Sequence, residues 1–323
     1  MKGRAPGAEG GGPFGRAERA GAGDAPAWAR ARPRGGRLGN LFFAALAGRR
    51  LGLVLVPFFL FWVSLYFVCF APRARRASFE LARRLGLRWR LLFCWRHFYA
   101  FGRSLIDRQA ILAGNTSGFC FASRGKEHLE AALAEGRGAI LLTAHFGNWE
   151  LMAHVLGERT ARVTLVMHEG VAEGVRSTLE RLAQGRSFRV IFTDGSPSAA
   201  AGILSALAEG DIVGLMGDRV LAGAATRVPL LGAEVRLPVG PYVLAAASGA
   251  PLLHAFCTRE GRRRYVFEAF PAQTLRLRSR RRRKEDLRRL AAAFAQRLED
   301  CLRRRPEQWG NLYSLWEEAE RCA

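Results

Sequence analysis

Residues 139–150 read AILLTAHFGNWE, and this stretch decides how the rest of the chain is interpreted. Its first six residues are apolar or small and predict a buried strand. His145 follows this strand directly. Gly147 permits a tight turn, and Asn148 is a good N-cap for a helix that begins at Trp149. Strand, short loop and helix in this order are typical of α/β folds, in which ligands bind beyond the carboxyl ends of parallel strands.

Similar alternation continues on both sides of this stretch. Further apolar runs that predict strands lie at residues 162–168, 189–192, 211–216, 251–257 and 264–270. Helical patterns lie near residues 127–135, 149–158, 171–184, 198–208 and 239–248, with a long basic helix at roughly 285–304. Strands that alternate with helices of about ten residues predict an α/β fold with a mixed, largely parallel sheet flanked by helices.

An uncharged run precedes this region. Leu51 to Ala71 read LGLVLVPFFLFWVSLYFVCFA, and about 20 such residues cross the hydrocarbon core of a bilayer. We therefore predict an N-terminal membrane-anchoring helix within residues 41–72. Arginines flank the run on both sides and leave its orientation open. Because Pro57 can kink the helix, a full span and a helix that stays in one leaflet both remain open.

The composition divides the chain into four segments. Residues 1–40 contain mainly Gly, Ala, Arg and Pro, so they cannot bury enough apolar surface to fold, and we predict a disordered tail. The membrane anchor, residues 41–72, follows. Residues 73–118 carry a helical pattern and form a lead-in, and residues 119–320 form the α/β domain.

The net charge is strongly positive. The chain has 50 Lys and Arg against 28 Asp and Glu, a formal charge of +22, and such a surface attracts anions. The run RLRSRRRRKEDLRR at residues 276–289 is most simply a solvated helix face or loop. Functional alternatives are an acidic carrier protein and anionic lipid head groups, at about 1 kcal/mol per basic residue near the membrane. No nucleic-acid recognition fold accompanies the run, so we expect no nucleic-acid partner.

The six cysteines predict no structural metal site. None forms a CxxC motif, and none lies at zinc-binding spacing from a histidine. Most are expected to be packing residues in a reducing compartment. The sequence also lacks the GxSxG, P-loop and HExxH motifs, which disfavours the hydrolases, nucleotide-binding proteins and zinc proteases that carry them.

His145 and Glu150 are the strongest candidates for chemistry. On a continuous helix, residues five apart point about 140° from each other. They can converge only if His145 lies in the loop and Glu150 in the first helical turn. The carboxylate would then hold one imidazole nitrogen while the other acts as a base. For an isolated pair of this spacing, the stronger alternative is a glutamate that complements the helix dipole.

Two later blocks also follow or precede predicted strands. Gly217-Asp218-Arg219 comes directly after the strand at 211–216, where an arginine could grip a phosphate. RVPLLG at residues 227–232 is predicted as a loop. In RLPVGPYVLAAASGAP, residues 236–251, Pro238 and Gly240 open a helix.

Taken in order, these blocks resemble the bacterial lipid A biosynthesis acyltransferases, also called lauroyl/myristoyl late acyltransferases. The likeness extends from near residue 45 to Trp316. It rests on HFGNWE, LMGDR, VP-x-x-G followed by LPVGP and GAPL, and the terminal RPEQW. The resemblance implies that residues 119–320 form an acyltransferase domain of the glycerolipid acyltransferase-like fold. It also implies transfer of a fatty acyl group from acyl carrier protein, or coenzyme A, to a hydroxyl of a lipid.

The resemblance assigns roles to individual residues. It implies that His145 is the general base and Glu150 its partner. Asp218 and Arg219 match the second family block and are expected to organise a phosphate of the donor or acceptor. The full set of substrate-binding candidates is Asn148, Gly217, Asp218, Arg219, Arg227 and Gly240.

Partners and location follow from the same resemblance. The expected partners are acyl carrier protein, anionic membrane lipids and the lipid acceptor. Apart from the thioester co-substrate, no cofactor and no metal are expected. The expected location is the bacterial inner membrane, with the catalytic domain on its cytoplasmic side.

The end of the chain departs from the lipid A enzymes. After Gln308 and Trp309 it continues GNLYSLW, where those enzymes usually have an arginine-rich segment. This resembles a side branch of the family linked to aryl-polyene and other specialised lipid pathways, so the acceptor can be lipid A-like or a specialised lipid. The alternative from another functional class is a non-catalytic, membrane-tethered protein that binds acyl carriers or anionic lipids.

Overall fold

A computed structural model of the chain describes residues 52–112, 114–151, 162–168, 188–193, 196–220, 223–278 and 281–316. The predicted tail at residues 1–40 and the predicted helix at 171–184 lie outside the described residues. So does most of the predicted helix at 149–158.

Seven of the described strands form one sheet, and two more form a hairpin. The strands are β1 (Cys120–Arg124), β2 (Ala139–Thr143), β3 (Val163–His168), β4 (Phe188–Thr193), β5 (Ile212–Met216), β6 (Ala225–Leu230), β7 (Ala233–Pro238), β8 (Leu252–Arg259) and β9 (Arg264–Ala269). The order in the sheet is β1-β9-β8-β2-β5-β3-β4. Its neighbours are parallel except for the antiparallel pair β8–β9. The prediction of a mixed, largely parallel sheet is confirmed.

Helices surround this sheet. They are α1 (Gly52–Phe70), α2 (Pro72–Arg84), α3 (Arg90–Leu112), α4 (Lys126–Leu133), α5 (Pro197–Ala208), α6 (Gly240–Ser248) and α7 (Arg283–Arg304), followed by a 3-10 turn at Pro306–Gln308. The helical lead-in predicted from residue 73 is thus two helices, α2 and α3, and the predicted basic helix is α7.

The central strand β2 is buried on both faces. Its five residues are all buried, and alternate side chains enter two different apolar clusters. Ile140 and Leu142 face the cluster that contains Phe294 of α7, whereas Leu141 faces the cluster that contains Tyr265 of β9. A strand covered on both faces has a continuous apolar sequence, which explains why this strand was predictable.

The hairpin β6–β7 corrects one prediction. Residues 227–232, expected to be a loop, form most of β6 and its turn, and β6 pairs with β7 in antiparallel register. The two-residue turn consists of Leu231 at φ 50° and Gly232 at φ 78°. Such turns normally carry Asn-Gly or Asp-Gly, so this sequence gives no turn signal. The backbone N–H of Leu231 donates a hydrogen bond to Glu299 Oε2 of α7 at 2.7 Å, which ties the turn to that helix.

Helix α1 is apolar all round but has two different environments. One stripe with i, i+4 spacing is buried and consists of Val56, Leu60, Ser64 and Val68. This stripe packs along α3, where Gly102 leaves room for Leu60. Most of the other large side chains are exposed: Val54, Leu55, Phe58, Phe61, Trp62, Leu65, Tyr66 and Phe70. Phe59, Val63 and Phe67 are partly buried.

The predicted anchor has no counterpart as one straight span. Among the described residues, no single helix has the length and apolar character needed to cross a bilayer. Only the pair Val54–Phe70 and Pro72–Arg84, bent by 95°, passes that test, by length and composition alone.

Candidate active site

His145 and Asp218 form the centre of the site. Strands β2 and β5 are parallel neighbours in which Thr143 pairs with Met216, so the residues two positions beyond them meet at the same sheet edge. His145 Nδ1 lies 2.8 Å from Asp218 Oδ1, and the backbone N–H of His145 donates to Asp218 Oδ2 at 3.1 Å. The two hydrogen bonds fix both the ring and the main chain of His145 against one carboxylate.

Asp218 is fully buried and ionised. Besides His145, Asn311 Nδ2 and Trp309 Nε1 donate to its Oδ2 at 3.2 and 3.4 Å. Burial raises its pKa, but the charges and hydrogen bonds of His145, together with Arg219, more than offset this and bring the pKa to about 2. A carboxylate with this many donors stays charged across the physiological pH range.

His145 is suited to act as a base. Burial and then the nearby Arg219 cation lower its pKa, while Asp218 raises it, and the net shift is downward. The imidazole is therefore neutral at pH 7. Because Asp218 is an anion, the ring proton lies on Nδ1, and Nε2 is left to accept a proton.

Glu150 has a different partner from the one expected. Trp149 and Glu150 form a turn before a helical residue at Leu151, and Glu150 Oε2 accepts a hydrogen bond from Arg108 Nη1 of α3. Glu150 influences His145 through its charge, which raises the pKa of the imidazole. The expectation that Glu150 holds the imidazole is corrected, since Asp218 occupies that position.

A late segment of the chain crosses the turn that carries His145. The backbone N–H of Gly147 donates to the Gln308 carbonyl at 2.8 Å, and the N–H of Gly310 donates to the His145 carbonyl. Gly147 has φ 68°, and a Cβ there would lie 2.0 Å from the Cys257 carbonyl oxygen. Only glycine fits this position, as the sequence indicated.

His97 supports the same segment from α3. Burial lowers its pKa to about 4, so it is neutral. Its Nε2 lies 2.6 Å from the Trp309 carbonyl and its Nδ1 lies 3.0 Å from Ser78 Oγ. His97 is thus a buried structural residue one layer behind the site.

Arg219 lies beside His145 and is held by the late segment. Its Nε donates to Asn311 Oδ1 at 2.9 Å, its Nη2 donates to the Gly310 carbonyl at 3.2 Å, and its guanidinium lies 5.2 Å from the ring centre of Tyr313. Asn311 thus donates to Asp218 and accepts from Arg219. The predicted binding residue Arg219 borders the cavity, whereas Asp218 lies buried behind His145 and does not face a phosphate.

The other predicted binding residues are scattered. The Asn148 side chain does not cap a helix but donates to the Ser104 carbonyl at 3.0 Å, and it borders the cavity. Gly217 packs under Phe294, whose ring a Cβ would approach to 2.8 Å. Arg227 on β6 and Gly240 at the start of α6 are exposed. Gly217, Arg227 and Gly240 are not among the described residues that line the cavity.

The cavity in front of His145 has a volume of about 680 Å³. Its apolar wall includes Trp95, Tyr99, Phe101, Leu105, Trp149 and Met167. Its charged residues are Arg96, Arg108, Arg219, Arg259, Arg305, Glu150, Glu260 and Glu307. An apolar wall beside guanidinium groups suits a ligand with both a hydrocarbon part and an anionic part. No group of three or more described His, Cys, Asp or Glu side chains is arranged to hold a metal ion.

Sequence reasoning missed several of these residues. Arg96 and Arg108 on α3 are separated by Ala100 and Ser104 at i, i+4 spacing, which is a recognisable signal for one helix face. Trp309 lies in the terminal RPEQW block and Asn311 in the unusual ending after it, but nothing in their spacing indicates contact with Asp218.

Comparisons with known proteins agree with this geometry. A sequence model described as "Bacterial lipid A biosynthesis acyltransferase" matches residues 104–318, more than half of the chain. A phosphatidylinositol mannoside acyltransferase of Mycobacterium tuberculosis (strain H37Rv) is 31% identical over 193 residues, which are 59% of this chain and 58% of the relative. A protein of the same description from Mycolicibacterium smegmatis is 29% identical over 136 residues, 42% of this chain and 45% of the relative. The chain therefore spans about half the length of these relatives. On the match over residues 104–318, this chain belongs to the bacterial lipid A biosynthesis acyltransferase family.

Proposed function

We propose that this protein transfers a fatty acyl group from a thioester donor to a hydroxyl of a lipid acceptor, with His145 as the general base. The observation that carries the proposal is the hydrogen bond between His145 Nδ1 and the buried, ionised Asp218, at the edge of an apolar and arginine-lined cavity. Family membership supports the reaction class.

The chemistry requires one base that later acts as an acid. Nε2 of His145 takes the proton of the acceptor hydroxyl while the oxygen attacks the thioester carbonyl. The tetrahedral intermediate then collapses, the C–S bond breaks, and the imidazolium returns its proton to the leaving thiolate. Asp218 stabilises the imidazolium, as a carboxylate does in a catalytic triad. No acyl-enzyme forms, because the acceptor attacks directly.

Arg219 is placed to stabilise the negative charge of the intermediate. Its guanidinium is held by Asn311 and Gly310 at the cavity wall, so it needs little reorganisation during the reaction. A fixed donor of this kind contributes most where charge develops.

Attachment to a membrane is part of the proposal. The exposed face of α1 consists of large apolar side chains. Helix α1 is followed directly by α2, which is rich in arginine. Trp89, Leu91 and Leu92, at the beginning of α3, are also exposed, with 78% of Trp89 accessible. Since the opposite stripe of α1 packs on α3, insertion into one leaflet is favoured over an independent span. We place the protein at the bacterial inner membrane, with the catalytic domain on the cytoplasmic side.

Donor and acceptor are proposed by class. The donor is a thioester of acyl carrier protein or of coenzyme A, and anionic membrane lipids are expected to bind the basic surface. For the acceptor, the description of the relatives as phosphatidylinositol mannoside acyltransferases makes a mannosylated phospholipid the first candidate, ahead of lipid A-like and aryl-polyene-type lipids.

The test is an acylation assay with product identification. Purified full-length protein is incubated with labelled palmitoyl-coenzyme A or labelled acyl carrier protein and with fractionated bacterial lipids, and labelled lipid is identified by mass spectrometry. Labelled lipid that depends on His145 supports the proposal. Binding of donor or lipid without any transfer across all fractions supports the alternative of a non-catalytic binding protein.

A further inference from the structure

One face of α3 forms the floor of the cavity. Arg96, Ala100, Ser104 and Arg108 follow each other at intervals of four residues, and all four line the cavity. At 1.5 Å per residue, the two arginines are about 18 Å apart along the helix. The small residues between them leave a groove with a guanidinium group near each end.

Most cavity arginines already have partners. Arg108 pairs with Glu150, Arg219 donates to Asn311 and Gly310, and Arg259 Nε lies 3.2 Å from Asp107 Oδ2. These contacts are internal, so they fix the three guanidinium groups in the wall.

Arg96 and Arg305 differ from the other three. Within the described parts of the chain, neither guanidinium forms an ion pair or a side-chain hydrogen bond. Arg305 is half-buried and directly precedes the 3-10 turn, and its backbone N–H donates to the Cys301 carbonyl at 2.9 Å. A half-buried cation without an anionic partner is electrostatically unfavourable until an anion binds.

Arg96 and Arg305 both lie where α3 packs against the segment that follows α7. Helix α3 packs against the 3-10 turn that follows Arg305. Arg96 directly precedes His97, whose ring nitrogen contacts the Trp309 carbonyl just after that turn. The backbones of both residues are therefore held in place, and both residues line the cavity, Arg305 half-buried and Arg96 exposed.

We propose that Arg96 and Arg305 form a subsite for the phosphodiester of a substrate. This inference rests on the proposed function for the identity of the substrates. Guanidinium groups bind phosphate oxygens through paired hydrogen bonds. Glu307, two residues after Arg305, lines the same cavity. Arg96, Arg305 and Glu307 together carry a net charge of +1, which matches a singly charged phosphodiester better than a doubly charged phosphate monoester.

Two substrates of an acyl transfer to a phospholipid contain such a group. One is acyl carrier protein as the thioester donor, whose phosphopantetheine arm is joined to a serine through a phosphodiester. The other is the acceptor, whose head group is attached through a phosphodiester. The structure defines the shared chemistry, and the two sources are distinguished by soluble probes.

The test measures binding without requiring turnover. Calorimetric titrations use holo-acyl carrier protein as the donor probe and glycerophosphoinositol as the acceptor probe, on the full chain, because each probe contains one phosphodiester. The variants are Arg96→Gln, Arg305→Gln and Arg305→Lys, and Arg288→Gln is the control because Arg288 is exposed on α7, outside the cavity. We expect both glutamine variants to weaken binding of one probe by at least tenfold, Arg305→Lys to weaken it less, and Arg288→Gln to leave it within twofold.

The affected probe identifies the source of the phosphodiester. Equal binding by all variants, or no binding of either probe to the wild-type protein, overturns the subsite. His145→Ala separates this inference from the proposed function, because it should abolish transfer while probe binding remains. If no acyl transfer is found but the Arg96 and Arg305 variants still lose a probe, the reaction is wrong and the subsite stands.

Discussion

His145 Nδ1 and Asp218 Oδ1 are 2.8 Å apart although 73 positions separate the two residues in the chain. Parallel pairing of β2 with β5 produces this proximity, since it brings equivalent positions after the two strands to one edge of the sheet. The pair joins the first family block, HFGNWE, to the second, LMGDR, and explains why both occur in one chain.

Replacement of His145 by alanine should remove the base and little else. We expect acyl transfer to fall by roughly 10²–10⁴-fold, the usual effect of losing a positioned general base. Thermal unfolding and vesicle binding should stay close to wild type. The measurement is the initial rate at saturating donor, and retention of more than half the rate by the folded variant would contradict the mechanism.

Asp218→Asn should be almost as damaging as the loss of His145. The amide keeps the shape of the carboxylate but presents a donor to His145 and no charge to the imidazolium, and we expect a loss of about 10²–10⁴-fold. Glu150→Gln is the matched control, because Glu150 contacts Arg108 rather than His145. Its loss in kcat should be at least tenfold smaller, and equal losses would restore Glu150 as the partner of the base.

The acid limb of the pH profile should respond to Arg219. His145 must be neutral to act as a base, and its pKa is lowered from the ordinary value, so the acid limb of kcat/KM should lie below the pH at which a free histidine titrates. Arg219 lowers that pKa, so Arg219→Gln should move the acid limb to higher pH. Arg219→Lys keeps the charge and should leave the limb in place while reducing the rate, because lysine lacks the paired donors. A limb unchanged in both variants would show that another group titrates.

Apolar side chains on the outer face of α1 should control vesicle binding. Phe58, Trp62 and Tyr66 are exposed, so their combined replacement by serine should not disturb the packing of α1 on α3. We expect the triple variant to shift from the detergent-extractable toward the salt-extractable fraction in membrane fractionation, since it removes three of the exposed apolar side chains of α1. Arg288→Gln serves as the control, because it changes an exposed residue on α7 and leaves α1 intact. An unchanged distribution of the triple variant would locate the anchor elsewhere.

The arginines of residues 280–283 should act only at long range. Arg281 to Arg283 lie at the beginning of α7, and that helix of 22 residues places them about 33 Å from Arg305 at the cavity. Glutamine at these positions should weaken carrier or vesicle association at low salt and change little at high salt, because salt screens charges beyond about 8 Å at physiological ionic strength. Turnover at saturating substrate should be normal. Loss of turnover at every salt concentration would place the run in the active site.

The sequence predicted correctly those strands whose burial produces a continuous apolar run of residues. All six predicted strands exist, because strands such as β2, buried on both faces, have uninterrupted apolar sequences. Strand β1 was missed, since Cys120–Arg124 is partly exposed and has no apolar run. The hairpin was missed because Leu231 takes a turn position at positive φ with no residue type that signals it.

The sequence predicted which residues lie near the cavity, but it did not predict which carboxylate contacts His145. His145 and Arg219 border the cavity because both follow strands at the same sheet edge. The partner of His145 could not be read from spacing, because Glu150 is near in sequence while Asp218 is near only through strand register. Trp309 and Asn311 reach Asp218 because of the path that the chain takes after α7. No local sequence pattern predicts that path.

The contacts of Trp309 and Asn311 with Asp218 also set the order in which the enzyme can mature during synthesis. These two residues lie 91 and 93 positions after Asp218 and satisfy the buried carboxylate. At about 5–20 residues per second, the ribosome needs roughly 5–20 s to make the intervening chain. On the proposed function, a nascent chain would reach the membrane through α1 long before its catalytic carboxylate is enclosed, and it would stay inert toward membrane lipids until translation of this last segment is complete.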